Sequence, residues 1–301
     1  MSSDVSSFRN LFPFESHFLD RSGLRYHYLD EGSGEPIVMV HGNPTWSFFY
    51  RDLVTALRDQ CRVIVPDHIG CGLSDKPGDD RYNYRLASRI DDLEALLEHL
   101  GVKRGVTLVL HDWGGAIGMG WAARHPERVA RIVLFNTAAF PLPATKKLPW
   151  QLSLVRDRRE MGWLVQGLNF FAWAASHVAS KSGLSREVRR AYLAPYDSWD
   201  HRIATLRFVQ DIPLGPSDPS YPLLLQIHAG LAHFRTTPAL ICWGERDFVF
   251  DEPFLRQWQL ELPKAEVHRF PRAGHYTIED AKDEIVPLVR AFLAAHPVAS
   301  G

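Results

Sequence analysis

Apolar residues recur along this chain with two periods, and the switch between them marks out its elements. Short apolar runs with β-branched residues at Leu24–Leu29, Ile37–Val40, Arg62–Val65, Val106–Leu110 and Arg131–Phe135 have strand character. Helical spacing alternates with them. Trp46–Leu57 carries one such pattern, and Ile90–Leu100 sets Leu93, Leu96, Leu97 and Leu100 on one face. Gly114–Arg124, rich in Ala and Gly, follows the Val106–Leu110 run directly. Alternation of this kind predicts an α/β protein with a mostly parallel sheet covered on both faces.

From Pro141 to Ala229 the strand pattern disappears. This stretch holds Trp150, Trp163, Trp173 and Trp199 among helical segments, with breaks at Pro195, Pro213, Pro216, Pro219 and Pro222. Strand character returns at Ala239–Trp243 and Val267–Phe270, and a last helix is expected over Glu284–Ala295. The strands on either side need each other, so the simplest organisation is one core, residues 1–140 and 230–301, interrupted by a helical cap, 141–229. The aromatic content of the cap suits two readings: the wall of an apolar pocket, or helix packing.

Composition narrows the classes of function. Of 301 residues, 46% are hydrophobic and 23% charged, with a net charge of -1, so nothing resembles a nucleic-acid-binding surface. The cysteines, Cys61, Cys71 and Cys242, are odd in number and fit buried free thiols in a reducing cytoplasm. Neither zinc-type spacing nor any other sign of a metal or cofactor is present. Met1–Leu11 is polar, with no apolar run of a signal peptide, and no window reaches the roughly 18 apolar residues of a membrane span. A soluble, cytoplasmic protein is expected.

The candidate chemistry begins at Leu110-His111-Asp112-Trp113-Gly114-Gly115, where a strand runs straight into a helix. Asp112 stands at the bend that presents the nucleophile in α/β-hydrolases, with Gly114 and Gly115 as the small residues such a bend requires. Leu110 departs from the usual pattern, which has Gly two residues before the nucleophile. A carboxylate is nucleophilic at neutral pH without losing a proton, and it can form an ester with an electrophilic carbon. An Asp at a strand–helix junction can also be a plain helix N-cap, so its partners decide. His275, in Ala273-Gly274-His275-Tyr276, follows the last strand, where this fold keeps its base. Among 14 histidines only this one follows the final strand in a Gly-His context; His41 and His111 are expected to bond nearby backbone. Asp247, beyond the preceding strand, is expected to orient His275, with Glu245 as its rival. Asn136, at the alternative acid position, cannot carry the charge. His41-Gly42-Asn43-Pro44 follows an early strand and can aim N–H groups at developing negative charge, together with the N–H of Trp113.

His41-Gly42-Asn43-Pro44-Thr45, Pro66-Asp67-His68-Ile69-Gly70-Cys71-Gly72-Leu73-Ser74-Asp75-Lys76-Pro77 and His111-Asp112-Trp113-Gly114-Gly115 resemble the haloalkane dehalogenase superfamily. The resemblance implies an α/β-hydrolase fold with a mostly parallel eight-stranded sheet and a helical cap after the sixth strand. It also implies that the side-chain N–H groups of Asn43 and Trp113 hold a leaving halide. Epoxide hydrolases use two cap tyrosines; Tyr192 and Tyr196 could match them or simply pack helices. A closer similarity is carried by Asn136-Thr137-Ala138-Ala139-Phe140-Pro141-Leu142-Pro143, Leu148-Pro149-Trp150-Gln151, Arg189-Arg190-Ala191-Tyr192-Leu193-Ala194-Pro195-Tyr196-Asp197 and Arg207-Phe208-Val209-Gln210-Asp211-Ile212-Pro213-Leu214. These resemble the OleB-type β-lactone decarboxylases. That implies conversion of a cis-3,4-dialkyl-β-lactone to a cis-alkene and carbon dioxide, and association with a β-lactone synthetase. The same residues would serve haloalkane hydrolysis, which remains the alternative. A catalytically idle binding module is a third reading, and the presence of all three triad residues counts against it.

Overall fold

A computed structural model describes residues 8–158 and 160–298; residues 1–7 of the polar N-terminal stretch lie outside it. The strands are β1 (His17–Asp20), β2 (Arg25–Glu31), β3 (Glu35–Val40), β4 (Cys61–Pro66), β5 (Val106–Asp112), β6 (Val129–Thr137), β7 (Ala239–Gly244) and β8 (Glu266–Phe270). They form one sheet in the order β1-β2-β4-β3-β5-β6-β7-β8. The β1–β2 and β2–β4 ladders are antiparallel and the remaining ladders are parallel. The helices of the first half are α1 (Arg51–Leu57), α2 (Leu86–His99) and α3 (Trp113–Arg124).

Side chains of the inner strands alternate between two apolar layers. On β5, Leu108 and Leu110 enter one and Val109 the other; on β3, Val38 and Val40 oppose Ile37 and Met39. Leu93 of α2 and Ile117 of α3 fill the first layer, and Leu53 of α1 the second. After β3 the chain moves outward to β4 and then crosses back to β5 on the other side of β3. Strand order therefore reverses between β3 and β5. In open parallel sheets, the crevice beyond the strand ends at such a point is the default binding place.

Between β6 and β7 the described residues form helices and no strand: α4 (Trp150–Asp157), α5 (Met161–Leu168), α6 (Phe170–Val178), α7 (Arg186–Leu193), α8 (Ile203–Gln210) and α9 (Tyr221–Gly230). α10 (Glu252–Glu261) and α11 (Thr277–Ala295) complete the fold.

Three elements differ from the periodicity reading. β1 is a four-residue edge strand whose side chains all remain at least partly exposed, so it carries no apolar signal. α10 buries Phe254, Leu255 and Trp258 among polar neighbours and was not legible. The last helix begins at Thr277, seven residues before the expected start. Non-helical angles at Ala281 (φ −137°, ψ 26°) and Pro287 within the helix split its pattern. All three cysteines are buried and free, and no helix among the described residues is long and apolar enough to cross a membrane.

Asp67, just past β4, ties the loops around the crevice. Its fully buried carboxylate accepts the N–H groups of Ser47 (2.6 Å) and Leu73 (2.8 Å), and His27 Nδ1 lies 2.8 Å away. Burial alone would raise its pKa. The facing rings of His27 and His41 and the Leu73 N–H outweigh burial and hold it at about 2. A carboxyl with a depressed pKa stabilises the fold above the ordinary carboxylate range, and that contribution is lost as pH falls through the folded value. Asp67→Asn is therefore expected to lower the unfolding free energy by about 3 kcal/mol near neutral pH. In denaturant titrations the gap to wild type should narrow toward pH 2; a gap that stayed constant would contradict an ionised Asp67.

Candidate active site

The reversal point is occupied by Asp112. It is the last residue of β5, α3 starts at the next position, and its backbone takes φ 53° and ψ −124°, a conformation L-residues rarely adopt. The bend sets the side chain above the sheet edge, against the loop that follows β3. Gly42 in that loop has to be glycine, since a Cβ there would overlap the Asp112 carboxylate. In return the loop gives the carboxylate a short hydrogen bond from the Asn43 N–H, 2.6 Å from Oδ1, and the Trp113 N–H adds another. Thr137 Oγ1 at the end of β6 donates to the Asp112 carbonyl. Leu110, where the common motif has Gly, is fully buried and lies against Gly118 of α3. The missing side chain at Gly118 makes the room that a Gly at 110 would otherwise make.

His275 lies in the loop between β8 and α11. Its Nδ1–H donates to Asp247 Oδ2 at 2.8 Å, and its Nε2 stands 3.7 Å from Asp112 Oδ2. The loop is held by backbone: the His275 carbonyl accepts His111 Nε2–H (2.9 Å), and the Gly274 N–H donates to Asp280 (2.7 Å). Phe250 stacks on the His275 ring, with centroids 5.8 Å apart and an 18° interplanar angle. Asp247, three residues past β7, also accepts the Val249 N–H (2.7 Å). The rival Glu245 points to Arg269 at the surface. Asn136 accepts the Gly244 N–H and Thr277 Oγ1–H and donates to the Gly244 carbonyl, so it staples β6 to β7 and to the start of α11.

All three members of the Asp112–His275–Asp247 chain are buried. Burial raises the Asp112 pKa, and the opposing effects of His275 and the two backbone N–H groups do not cancel it. Burial pulls His275 the other way, but Asp247 and Asp112 together raise its pKa above the ordinary imidazole value. His111 and His41 both have pKa values that burial pushes down from the ordinary imidazole value. They bond backbone: His111 to His275, and His41 to the Gly42 carbonyl (2.7 Å) and the His68 N–H (3.1 Å).

Asn43 and Trp113 both face a cavity of about 160 Å³ that ends on Asp112 and His275. Asn43 Nδ2 donates to the Thr205 carbonyl on α8 (3.0 Å), so one N–H of the amide is engaged and one is spare. Trp113 packs on Phe208, and the guanidinium of the buried Arg89 sits 3.7 Å over the Phe208 ring. Phe208 fell within a stretch that carried the family resemblance but had no assigned role, and Arg89 had no local signal, because the stack joins α2, α3 and α8. The remaining walls are apolar, with Leu148, Phe171, Leu224 and Phe254 among them. Trp150, Trp163, Trp173 and Trp199 take no part and are 45–70% exposed. The aromatic content of 141–229 thus divides: Phe171 lines the cavity and Phe208 packs on Trp113, whereas Phe170 and the four tryptophans are exposed and outside the cavity. Tyr192 bonds Glu279 and Tyr196 the Thr45 carbonyl, and both lie outside the cavity. Among the described residues no group of acidic, His or Cys side chains could hold a metal ion.

A model of the alpha/beta hydrolase fold matches residues 35–282. The chain is 56% identical to a cis-3-alkyl-4-alkyloxetan-2-one decarboxylase of Shewanella oneidensis, over 94% of this chain and 89% of that one. It is 49% identical to a protein of the same name from Xanthomonas campestris, over 92% and 95%. Among solved structures it resembles the haloalkane dehalogenase DatA of Agrobacterium tumefaciens, with TM-score 0.85 and 27% identity over 94% and 97% of the two chains. The match to the fold model and near full-length similarity to curated relatives converge, and the chain belongs to the α/β-hydrolase family and, within it, to the cis-3-alkyl-4-alkyloxetan-2-one decarboxylases.

Proposed function

We propose that this protein decarboxylates cis-3,4-dialkyl-β-lactones to cis-alkenes and carbon dioxide, with Asp112 as nucleophile, His275 and Asp247 as its partners, and residues 141–229 as a cap over the site. The observation that carries this reading is the 56% identity to a decarboxylase of that name across 94% of the chain, cap included. The apolar cavity supports it, since its walls suit two alkyl chains while its one polar end holds Asp112, Asn43, Trp113 and His275.

Asp112 Oδ2 attacks C4 of the ring. The C4–O bond breaks, the Asp112 ester forms with inversion at C4, and the ring oxygen leaves as part of a carboxylate on C3. That carboxylate is an anionic leaving group from a saturated carbon, as halide is in a dehalogenase. The spare amide N–H of Asn43 and the indole N–H of Trp113 receive it. The C3–carboxylate bond then breaks, its electron pair forms the C3=C4 bond, and the Asp112 carboxylate departs anti to the carbon dioxide. Inversion followed by anti fragmentation preserves the cis geometry, and neither water nor a net proton is consumed. His275, protonated and held by Asp247, stabilises the departing Asp112 carboxylate. The fit of Asn43 and Trp113 to any anionic leaving group also favours a second reading, haloalkane hydrolysis. There a neutral His275 would activate water to cleave the ester. A β-lactone synthetase is the proposed partner in supply, and three free buried thiols favour a cytoplasmic location.

Incubation with a cis-dialkyl-β-lactone should release alkene, detected by gas chromatography, faster than a long-chain haloalkane releases halide; the reverse ranking would sink the lactone reading. Asp112→Asn should lower alkene formation by at least about 10³-fold. It should do so with an unchanged or higher melting temperature, because it removes a buried carboxylate whose raised pKa costs stability at neutral pH. A folded, fully active variant would exclude Asp112 as nucleophile. The pH profile of kcat/KM separates the two chemistries. Alkene formation should fall at low pH, below an Asp112 pKa above the usual carboxylate range, and again as His275 loses its proton above the ordinary imidazole value. Hydrolysis by a neutral His275 would instead rise through that second limb.

A further inference from the structure

Helices α5 and α6 form a stretch, residues 161–180, without one Asp, Glu, Lys or Arg. In most folds such a run is interior. Here only the inner faces are covered: Val165 of α5 packs with Val155, Leu206 and Val209, and Phe171 and Ala175 of α6 line the cavity. The outer face presents Trp163, Leu168, Phe170 and Trp173, each at least half exposed. Trp199 joins them, since it and Trp163 both stand beside Gly167. Phe170 and Trp173 stack with centroids 6.3 Å apart. A contiguous apolar face of this kind marks an interaction surface.

We propose that the outer face of α5 and α6, with Trp199, docks the enzyme on the surface of an anionic lipid bilayer. Three features select a bilayer as the occupant. The exposed residues are mainly indoles, whose apolar body and N–H suit the headgroup boundary. With eight and nine residues, α5 and α6 are too short to span and suited to lie in the interface. Charge is also segregated. Residues 141–229 hold eleven Lys and Arg against seven Asp and Glu, whereas the rest of the chain holds 23 against 28. Arg158 precedes the uncharged run and Lys181 follows it; Arg158, Lys147 and Arg190 are exposed and make no ion pair among the described residues. A cationic, tryptophan-bearing cap on an otherwise acidic body complements anionic headgroups.

The placement has a consequence for the proposed substrate, and in this respect it rests on the lactone reading. α6 is one helix thick and separates the cavity from the docking face. A lactone with two long alkyl chains partitions into the bilayer, and the docked cap sets the cavity one helix away from it. Docking itself does not depend on which bond Asp112 breaks.

The test is co-sedimentation of the full chain with vesicles of phosphatidylcholine alone and of phosphatidylcholine with phosphatidylglycerol. The protein should pellet with the anionic vesicles and be released as salt is raised. The double variant Trp163→Ser/Trp173→Ser should bind them at least about tenfold more weakly. It should keep its melting temperature and, if the lactone reading holds, its turnover of a short-chain, water-dispersed β-lactone. Wild-type protein that stays in the supernatant with both vesicles overturns the proposal, as does a double variant that pellets undiminished. A vesicle-free dimer, seen by sedimentation velocity and lost in the double variant, would assign the face to a second copy instead. Each outcome is read by binding, so a failure of lactone turnover leaves it intact.

Discussion

The structure is organised around one constraint: a carboxylate must be held ionisable inside an apolar crevice. Asp112 is buried, and burial disfavours its charge. Two backbone N–H groups and a facing imidazole oppose that penalty, and each needs its own geometry. The Asn43 N–H reaches it because β3 and β5 are neighbours and because Gly42 lets the loop close on the carboxylate. The Trp113 N–H reaches it because the chain turns from strand to helix at a strained φ of 53°. The imidazole reaches it because β7 and β8 deliver Asp247 and His275 at the same sheet edge.

The partners are over-determined in proportion to the strain. His111 supports the His275 backbone, Phe250 covers its ring, and Asp280 anchors the loop through the Gly274 N–H. Asp280 also accepts the N–H groups of Lys181 and Ser182, so the His275 loop and the exit of α6 share one anchor. Strained, partly desolvated sites persist only when their surroundings leave no alternative, and these tethers come from four separate stretches of chain.

Much of this was legible in sequence because it is local. The β5–α3 junction is contiguous, and so are the His41-Gly42-Asn43-Pro44 loop and the chain order of Asp112, Asp247 and His275. The parallel core was legible for the same reason: Val106–Leu110 and Ile37–Val40 are continuous apolar runs, as strands buried on both faces must be. What escaped depends on distant partners. β1 is an exposed edge, and the start of α11 hides behind a kink at Ala281. The compensation of Leu110 by Gly118 requires knowing how α3 lies on the sheet. Tryptophan content pointed to an interior because burial and docking call for the same residue type. Only exposure separates them.

Asn43 stands in two places at once. Its main-chain N–H belongs to Asp112, while its side-chain amide grips the Thr205 carbonyl of α8. That single residue makes the pose of the roof and the polarity of the crevice floor mutually dependent. An anion drawing on the Asn43 amide alters its grip on α8, and a shift of α8 re-aims the amide. By thermodynamic reciprocity, whatever free energy an anion at the amide takes from the position of α8, that position takes from the anion. The placement of α8 and the occupancy of the polar end of the cavity are therefore linked variables, joined through one carboxamide.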